Sequence, residues 1–320
     1  MITRRSFLQT TGMSLAACGT ASLLPRSLYA FPLGLPPGIQ LYAVRRTLQA
    51  DPQKTLQQLY TIGYRQVETA GYAGVTAAEF RRWIDAAQLT CPSAHVQFTP
   101  EDFSQAFSDA RALGAHYAVS SALAFVVRPL PRRAPGSPMG PFPQLQYEDF
   151  MKMADLMNRI GAAAQADGLT YAYHNHNMEF VRMPNGQYGY DLLLKHTNPK
   201  TVKFEADCGW MMAAGVRPEH YFRHYPDRYR EIHVKDFQPL KHPTNQLAGP
   251  DRPEGTDLGR GFIKYGPIFA AARAAGIQHV YAEQEPPFAP SELAAAQVDY
   301  RFLASWPDGG RVLRVRRTDN

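Results

Sequence analysis

A repeated alternation is the strongest constraint on this chain. Short strand-like runs occupy residues 38–44, 66–69, 91–96, 116–121, 169–173, 201–207, 231–234 and 279–282. Segments with helical spacing of apolar residues follow them at 51–62, 76–87, 99–113, 147–167, 189–196, 218–224, 265–275 and 291–303. The punctuation agrees with this division. Asp51, Thr76 and Thr99 stand as N-caps, Pro52 opens a first turn, Glu79 completes a capping box with Thr76, and Gly63, Gly114, Gly168 and Gly276 close helices. Repeated right-handed βαβ units either spread into a doubly wound sheet or close into a barrel. No glycine-rich phosphate fingerprint follows the first strand, which disfavours a dinucleotide fold. Eight units in roughly 270 residues predict a (β/α)8 TIM barrel. Two Pro- and Gly-rich stretches, 125–146 and 237–260, interrupt the pattern as long loops, and loops of that length inside a compact domain are usually functional.

Four consecutive strands end in metal-ligand residue types. The run 169–173 leads into His174, Asn175, His176 and Glu179; the next strand ends at Asp207. The seventh carries His233 ahead of Lys235 and Asp236, and the eighth runs into Glu283 and Glu285. Strand ends are where α/β barrels keep their chemistry. A lone histidine at such an end is usually a hydrogen-bonded structural residue. Four at successive ends predict one metal site built from His174, Asp207, His233 and Glu283. Two imidazoles and two carboxylates suit a divalent Mn, Zn, Co or Fe ion better than Mg or Ca, which prefer all-oxygen shells.

Composition matters at two points. The formal charge is +6, of which three charges are Arg4, Arg5 and Arg26 in a leader without acidic residues, so the remainder carries +3. That balance makes no case for nucleic acid, and the basic residues Arg128, Arg132 and Arg133 and the tail from Arg311 to Arg317 read as solvated surface. The leader, Thr3-Arg4-Arg5-Ser6-Phe7-Leu8-Gln9, resembles a twin-arginine export signal, with Leu28-Tyr29-Ala30 as the cleavage site. Its apolar run is too short and broken to span a bilayer. Leu15-Ala16-Ala17-Cys18 resembles a lipobox and leaves a lipoprotein anchored at Cys18 as the alternative. The expected layout is a signal over 1–30, a linker over 31–37, the barrel over 38–306 and a loose tail over 307–320, located in the periplasm. A membrane partner follows only if Cys18 is lipidated, and a homo-oligomer is left open. Cys91 and Cys208 read as buried free thiols rather than a disulfide.

Several segments together resemble the sugar phosphate isomerase/epimerase family, whose barrel is xylose isomerase-like. They are Gly38-Ile39-Gln40-Leu41-Tyr42-Ala43-Val44-Arg45, Gly63-Tyr64-Arg65-Gln66-Val67-Glu68, Ser93-Ala94-His95-Val96, Tyr173-His174-Asn175-His176 with Glu179-Phe180, His233-Val234-Lys235-Asp236, Leu258-Gly259-Arg260-Gly261 and Glu283-Gln284-Glu285. The likeness covers 38–303. It implies one divalent ion held by Glu, Asp, His and Glu from strands five to eight. Asp207, His233 and Glu283 match that set, and His174 stands where the first Glu would be. In the family's ketose 3-epimerases both glutamates move protons, on opposite faces of the sugar. A metal-bound imidazole is a poor second base, so two-base epimerisation is disfavoured here.

The expected chemistry is proton abstraction next to a carbonyl through an enediolate, giving isomerisation or epimerisation; β-elimination from a 3-keto-glycoside is the alternative on the same site. Candidate catalytic residues are Glu283, His176 and Lys235, with His95 as a further base. Lys235 either neutralises an enolate or pairs with Asp236. Gln40, Glu68, His95, Glu179, Trp210 and Asp236 are candidate substrate contacts, Glu179 alternatively as a loop ion-pair partner and Trp210 alternatively as packing. The partner expected is a small-molecule sugar or glycoside. Two readings compete: a phosphodiester hydrolase, disfavoured by the few spare ligands and the expected export, and a non-catalytic periplasmic sugar-binding protein.

Overall fold

The computed structural model describes residues 32–130 and 143–306. The export signal, Cys18, Arg132, Arg133 and the tail from 307 lie outside the described residues. Eight parallel strands close into a barrel: β1 (Gly38–Gln40), β2 (Gln66–Ala70), β3 (Thr90–His95), β4 (Tyr117–Ser120), β5 (Thr170–His174), β6 (Val202–Asp207), β7 (Tyr229–Val234) and β8 (His279–Ala282). Each pairs with its neighbours in sequence, and β1 closes on β8 through Gly38–Tyr281 and Ile39–Ala282. The TIM barrel expected from the alternation is the fold observed.

Strand alternation sorts side chains into two compartments. Outward residues such as Tyr171, Tyr173, Val202, Phe204, Ala206, Ile232, Val234, Val280 and Ala282 join the apolar shell between strands and helices. Inside the barrel the described apolar cluster is small, Tyr117, Val119 and Ala172. The other inward positions are polar. Glu68, Ser93, Glu205, Glu231 and His233 are all fully buried.

Helix boundaries follow local chemistry. Thr76 accepts from the Glu79 amide at 3.2 Å, the N-cap half of the expected capping box, without the return bond from the Thr76 amide to the Glu79 carboxylate. Thr99, however, does not cap. Its hydroxyl is taken by the backbone of Asp102, and the helix Ser104–Leu113 starts where the Asp102 carboxylate accepts from the Ser104 amide at 2.8 Å. The first strand is shorter than its apolar run suggests. Gln40 Oε1 accepts from the Tyr42 amide at 3.1 Å and turns Leu41–Val44 into a 3-10 helix. Both long loops carry structure: Leu123–Val127 is helical, and Asp236–Phe237 pairs antiparallel with Gly255–Thr256. Arg128 is bound to Asp149 at 2.6 Å, so it is a structural contact rather than a solvated charge. Cys91 and Cys208 are buried free thiols, as expected. Among the described residues no helix is long and apolar enough to cross a membrane.

The last helix, Glu292–Ala304, buries Asp299, whose Oδ1 accepts from the Leu258 amide at 2.8 Å. Burial, then the charges of Asp257 and Asp236, push its pKa well above the ordinary carboxylate value. The folded state therefore holds this proton at pH values where the unfolded chain, with a pKa of about 3.9, has released it. The contribution is unfavourable and grows as pH rises above about 4. Asp299→Asn keeps an acceptor for Leu258 and removes the titration. Its thermal midpoint, measured against the parent from pH 4 to 8, should gain progressively with pH; a difference independent of pH would contradict the assignment.

Candidate active site

The C-terminal ends of β5 to β8 bring the expected ligands together. Register explains how. His174 lies opposite Glu205, and Asp207 lies opposite His233, which lies opposite Tyr281. His174, Asp207, His233 and Glu283 are inward residues at one level, and their ligating atoms all lie within 4.8 Å of one another. His233 Nδ1 is 2.8 Å from Glu283 Oε2 and 4.0 Å from Asp207 Oδ2, while His174 Nε2 is 3.7 Å from Asp207 Oδ2. Donors about 2.0–2.2 Å from one centre are separated by roughly 3–3.5 Å, so the edges bracket a coordination shell. Asp207 Oδ2 is a buried oxygen facing this space, with the Lys235 ammonium 2.9 Å away as its charge partner. The other oxygen, Oδ1, is taken by the Trp210 amide at 2.8 Å, because Asp207 caps the helix Cys208–Ala213. The residues present fit a divalent cation.

The far side of each imidazole meets a carboxylate. His174 Nδ1 is 2.7 Å from Glu205 Oε2, and His233 Nε2 is 2.6 Å from Glu68 Oε2. His95 Nε2 also reaches Glu205 Oε2 at 2.9 Å. Burial, then the neighbouring His233, lowers the His174 pKa to about 3, leaving it neutral. For His233 burial opposes the charge, but Glu205 and Glu68 outweigh it and raise the pKa well above the usual value. Glu205 and Glu231 were not legible as site residues from strand ends alone. The available signal was the period of two: Glu205 is two residues before Asp207, and Glu231 two before His233.

Lys235 is the cation of the cluster. Its Nζ is 2.9 Å from both Asp207 Oδ2 and Glu283 Oε2 and 3.4 Å from Glu285 Oε1. Burial works against the ammonium, but these three carboxylates more than offset it, and the pKa rises above that of ordinary lysine. Pairing with Asp236 is not what is found. Asp236 instead accepts four backbone amides, from Phe237, Gly259, Gly261 and Ile263, at 3.0–3.1 Å. A Cβ at Gly261 would overlap Asp236 Oδ1 and the Phe237 carbonyl, which accounts for Gly in the Leu-Gly-Arg-Gly run. Gly209 similarly leaves room for the Lys235 stem.

The other candidates divide into two groups. Gln40 donates to Glu68 Oε2 at 2.8 Å, and His95 stacks on His233 with ring centroids 5.7 Å apart, so both border the cluster. His176 is half-buried, with its ring 5.1 Å from His174 and an unpartnered Nδ1. Trp210 is buried; it packs on Phe237 and carries Lys235 Nζ 5.0 Å from its ring centroid. Glu179 is fully buried, with Tyr173 OH at 2.6 Å and the His176 amide at 2.9 Å on its two oxygens. Burial lifts its pKa to about 7. Glu179 and Asp236 thus hold backbone where substrate contact was expected. Glu285 links the ammonium to Arg252 at 2.6 Å.

The sequence matches the xylose isomerase-like TIM barrel family over residues 56–306. The chain belongs to that family. It is similar to an inosose dehydratase of Geobacillus thermodenitrificans (strain NG80-2), 28% identical over 174 residues, covering 49% of this chain and 55% of the relative. The chain thus spans about half the length of the curated relatives it matches. Among solved structures, a sugar phosphate isomerase/epimerase from Parabacteroides distasonis ATCC 8503 superposes with a TM-score of 0.69 at 21% identity, over 91% of this chain and 99% of that one. A zinc-bound structure of the IOLI protein superposes with a TM-score of 0.57 at 13% identity, over 83% of this chain and 96% of that one. At these identities the likenesses show the fold.

Metal-free protein titrated with Zn²⁺ or Mn²⁺ should take up about one ion per chain, as one such four-ligand shell holds one ion. Asp207→Ala and His233→Ala should each abolish most of that uptake. Elemental analysis finding full metal content in both variants would contradict the ligand set.

Proposed function

We propose that the protein is a divalent-metal-dependent enzyme that removes a proton from the carbon next to a carbonyl of a sugar or cyclic polyol ketone and expels the substituent at the β carbon. The observation that carries this reading is the asymmetry of the cluster. It offers one carboxylate base, Glu283, and an imidazole, His174, where a second carboxylate would serve a two-face epimerisation. Glu283 Oε2 is held between His233 and Lys235, and Oε1 makes no hydrogen bond among the described residues. Oε1 is the oxygen assigned to take the proton.

His174, Asp207, His233 and Glu283 would hold the cation, which would supply Lewis-acid polarisation of the carbonyl. Glu283 accepts the α-proton as the C–H bond breaks. The electron pair moves towards the carbonyl oxygen, and the Lys235 ammonium stabilises the enolate charge. As that pair returns, a C=C bond forms and the β C–O bond breaks. The leaving oxygen departs as water or an alcohol after receiving a proton, which Glu283 returns. His176, whose pKa burial and then the neighbouring His174 and Lys235 hold well below the usual imidazole value, borders the site as a neutral group. The indole of Trp210 and the buried Glu179 hold Lys235 and the His176 backbone in place. The inosose dehydratase similarity supports elimination over isomerisation.

The experiment is NMR in D₂O, with a keto-inositol, a 3-keto-glycoside and free ketohexoses as substrates. Elimination of a β-substituent, or deuterium entry at a single carbon, is expected from the cyclic ketone or the glycoside. Glu283→Gln should slow it by about two to four orders of magnitude with metal content measured in the same sample. Rapid 3-epimerisation of free fructose or tagatose, with no reaction of the other two, would overturn this reading for an ordinary epimerase. Binding without turnover of any substrate would favour a sugar-binding protein.

We also propose twin-arginine export to the periplasm, on the strength of Arg4-Arg5 and the run after them. Changing both to Lys should strand precursor in the cytoplasm. Release of protein from a membrane fraction by Cys18→Ser would replace cleavage near Ala30 with lipidation.

A further inference from the structure

We infer that Glu205 is a positioning residue that sets the tautomer of His174, so that the Glu205–His174 pair does the work of the carboxylate ligand that β5 lacks. The inference rests on the metal assignment above and extends it to a residue outside the ligand set. An imidazole has one lone pair when neutral, and which nitrogen carries it is decided by the hydrogen bond at the other. At His174 the choice is consequential. Nδ1 points to Glu205 at 2.7 Å, and Nε2 points to Asp207 Oδ2 at 3.7 Å. With Glu205 ionised, the proton sits on Nδ1 and the lone pair on Nε2 faces Asp207 and the cation position. With the opposite tautomer, Nε2–H would point into that position and block it.

Glu205 is built for this task. It is fully buried, and among the described residues no lysine or arginine pairs with it. Its neighbours are three imidazoles: His174 at 2.7 Å, His95 at 2.9 Å and His233 Nε2 at 3.2 Å. Two N–H donors, from His174 and His95, converge on its Oε2 and keep it an acceptor, with the His233 ring beside Oε1. The negative charge one bond-network step behind His174 also makes the imidazole a stronger donor to a cation, as carboxylates behind metal-bound histidines do. A carboxylate ligand in place of His174 would instead meet Glu205 across the β5–β6 pair, where His174 and Glu205 lie opposite each other. Two like charges in that position repel. The imidazole and Glu205 are thus a matched pair.

The test reads tautomer and affinity separately. In metal-free protein labelled with ¹⁵N-histidine, His174 should carry its proton on Nδ1. Finding it on Nε2 overturns the inference whether or not the metal assignment is right. In Glu205→Gln the amide can donate to Nδ1 and favour the blocking tautomer. Zn²⁺ affinity should fall about 10- to 100-fold with all four ligands present, the usual cost of losing such a partner. An affinity within twofold of the parent, with only the melting temperature lowered, would reduce Glu205 to a structural role. The paired variant guards against misfolding: His174→Glu should bind Zn²⁺ poorly, and His174→Glu with Glu205→Gln should regain affinity over it. Equal affinity in the single and double variants contradicts the matched pair. Parent protein that binds no metal at all would sink the functional reading, while the tautomer measurement would still decide the role of Glu205.

Discussion

Burying carboxylates inside a closed barrel is unfavourable unless each meets a proton donor or a cation. This barrel buries Glu68, Glu205, Asp207, Glu231, Glu283 and Glu285, all at most 6% exposed. The side chains around them answer that demand. Gln40 and Ser93 donate to Glu68, Ser93 and Tyr281 reach Glu231, three imidazoles surround Glu205, and Lys235 spans Asp207, Glu283 and Glu285. Removing one member leaves an uncompensated charge at depth, so the cluster stands or falls together. A divalent cation between His174, Asp207, His233 and Glu283 would relieve the same excess of negative charge. That shared physical demand links the stability of the barrel to its chemistry.

Lys235 sits where the two requirements meet. Its backbone amide and carbonyl are both bonded to the Tyr265 hydroxyl, at 3.0 and 2.6 Å, and its stem passes over Gly209. Next along the chain, Asp236 gathers the 259–263 segment by its amides. Asn177 joins the loop after β5 to the loop after β7, donating to the Thr244 and Gln246 carbonyls at 3.0 and 3.1 Å. Buried polar side chains that terminate on backbone in this way fix loops without using the groups that face the cluster. The rim is therefore organised by residues that look catalytic in the sequence and are structural in space.

That division shows what the sequence could and could not convey. The eight strands and the convergence of His174, Asp207, His233 and Glu283 were legible, because period-two alternation and strand ends are local properties. Glu205 and Glu231 were not singled out, since each stands inside a strand without a motif around it, and its inward orientation matters only once the barrel closes. Glu179 and Asp236 show the reverse. A carboxylate aimed at backbone amides and one aimed at a substrate have the same residue type, and only the fold distinguishes them. Strand β1 ended early because the Gln40 side chain competed for the Tyr42 amide, and the Thr99 cap was lost because Asp102 lay nearer the helix start. Both are contests between neighbouring hydrogen-bonding groups that residue preferences alone do not settle.

The central claim is that a cation binds on the Asp207–Glu283 side of the two shared histidines, rather than on the opposite side, where His95, His174, His233 and Glu205 form another group of ligating atoms. X-ray absorption at the edge of bound zinc distinguishes them through the number of imidazoles in the shell. Two imidazole nitrogens with carboxylate oxygens, unchanged by His95→Ala, is the predicted result. Three imidazoles, reduced to two by His95→Ala, would contradict it.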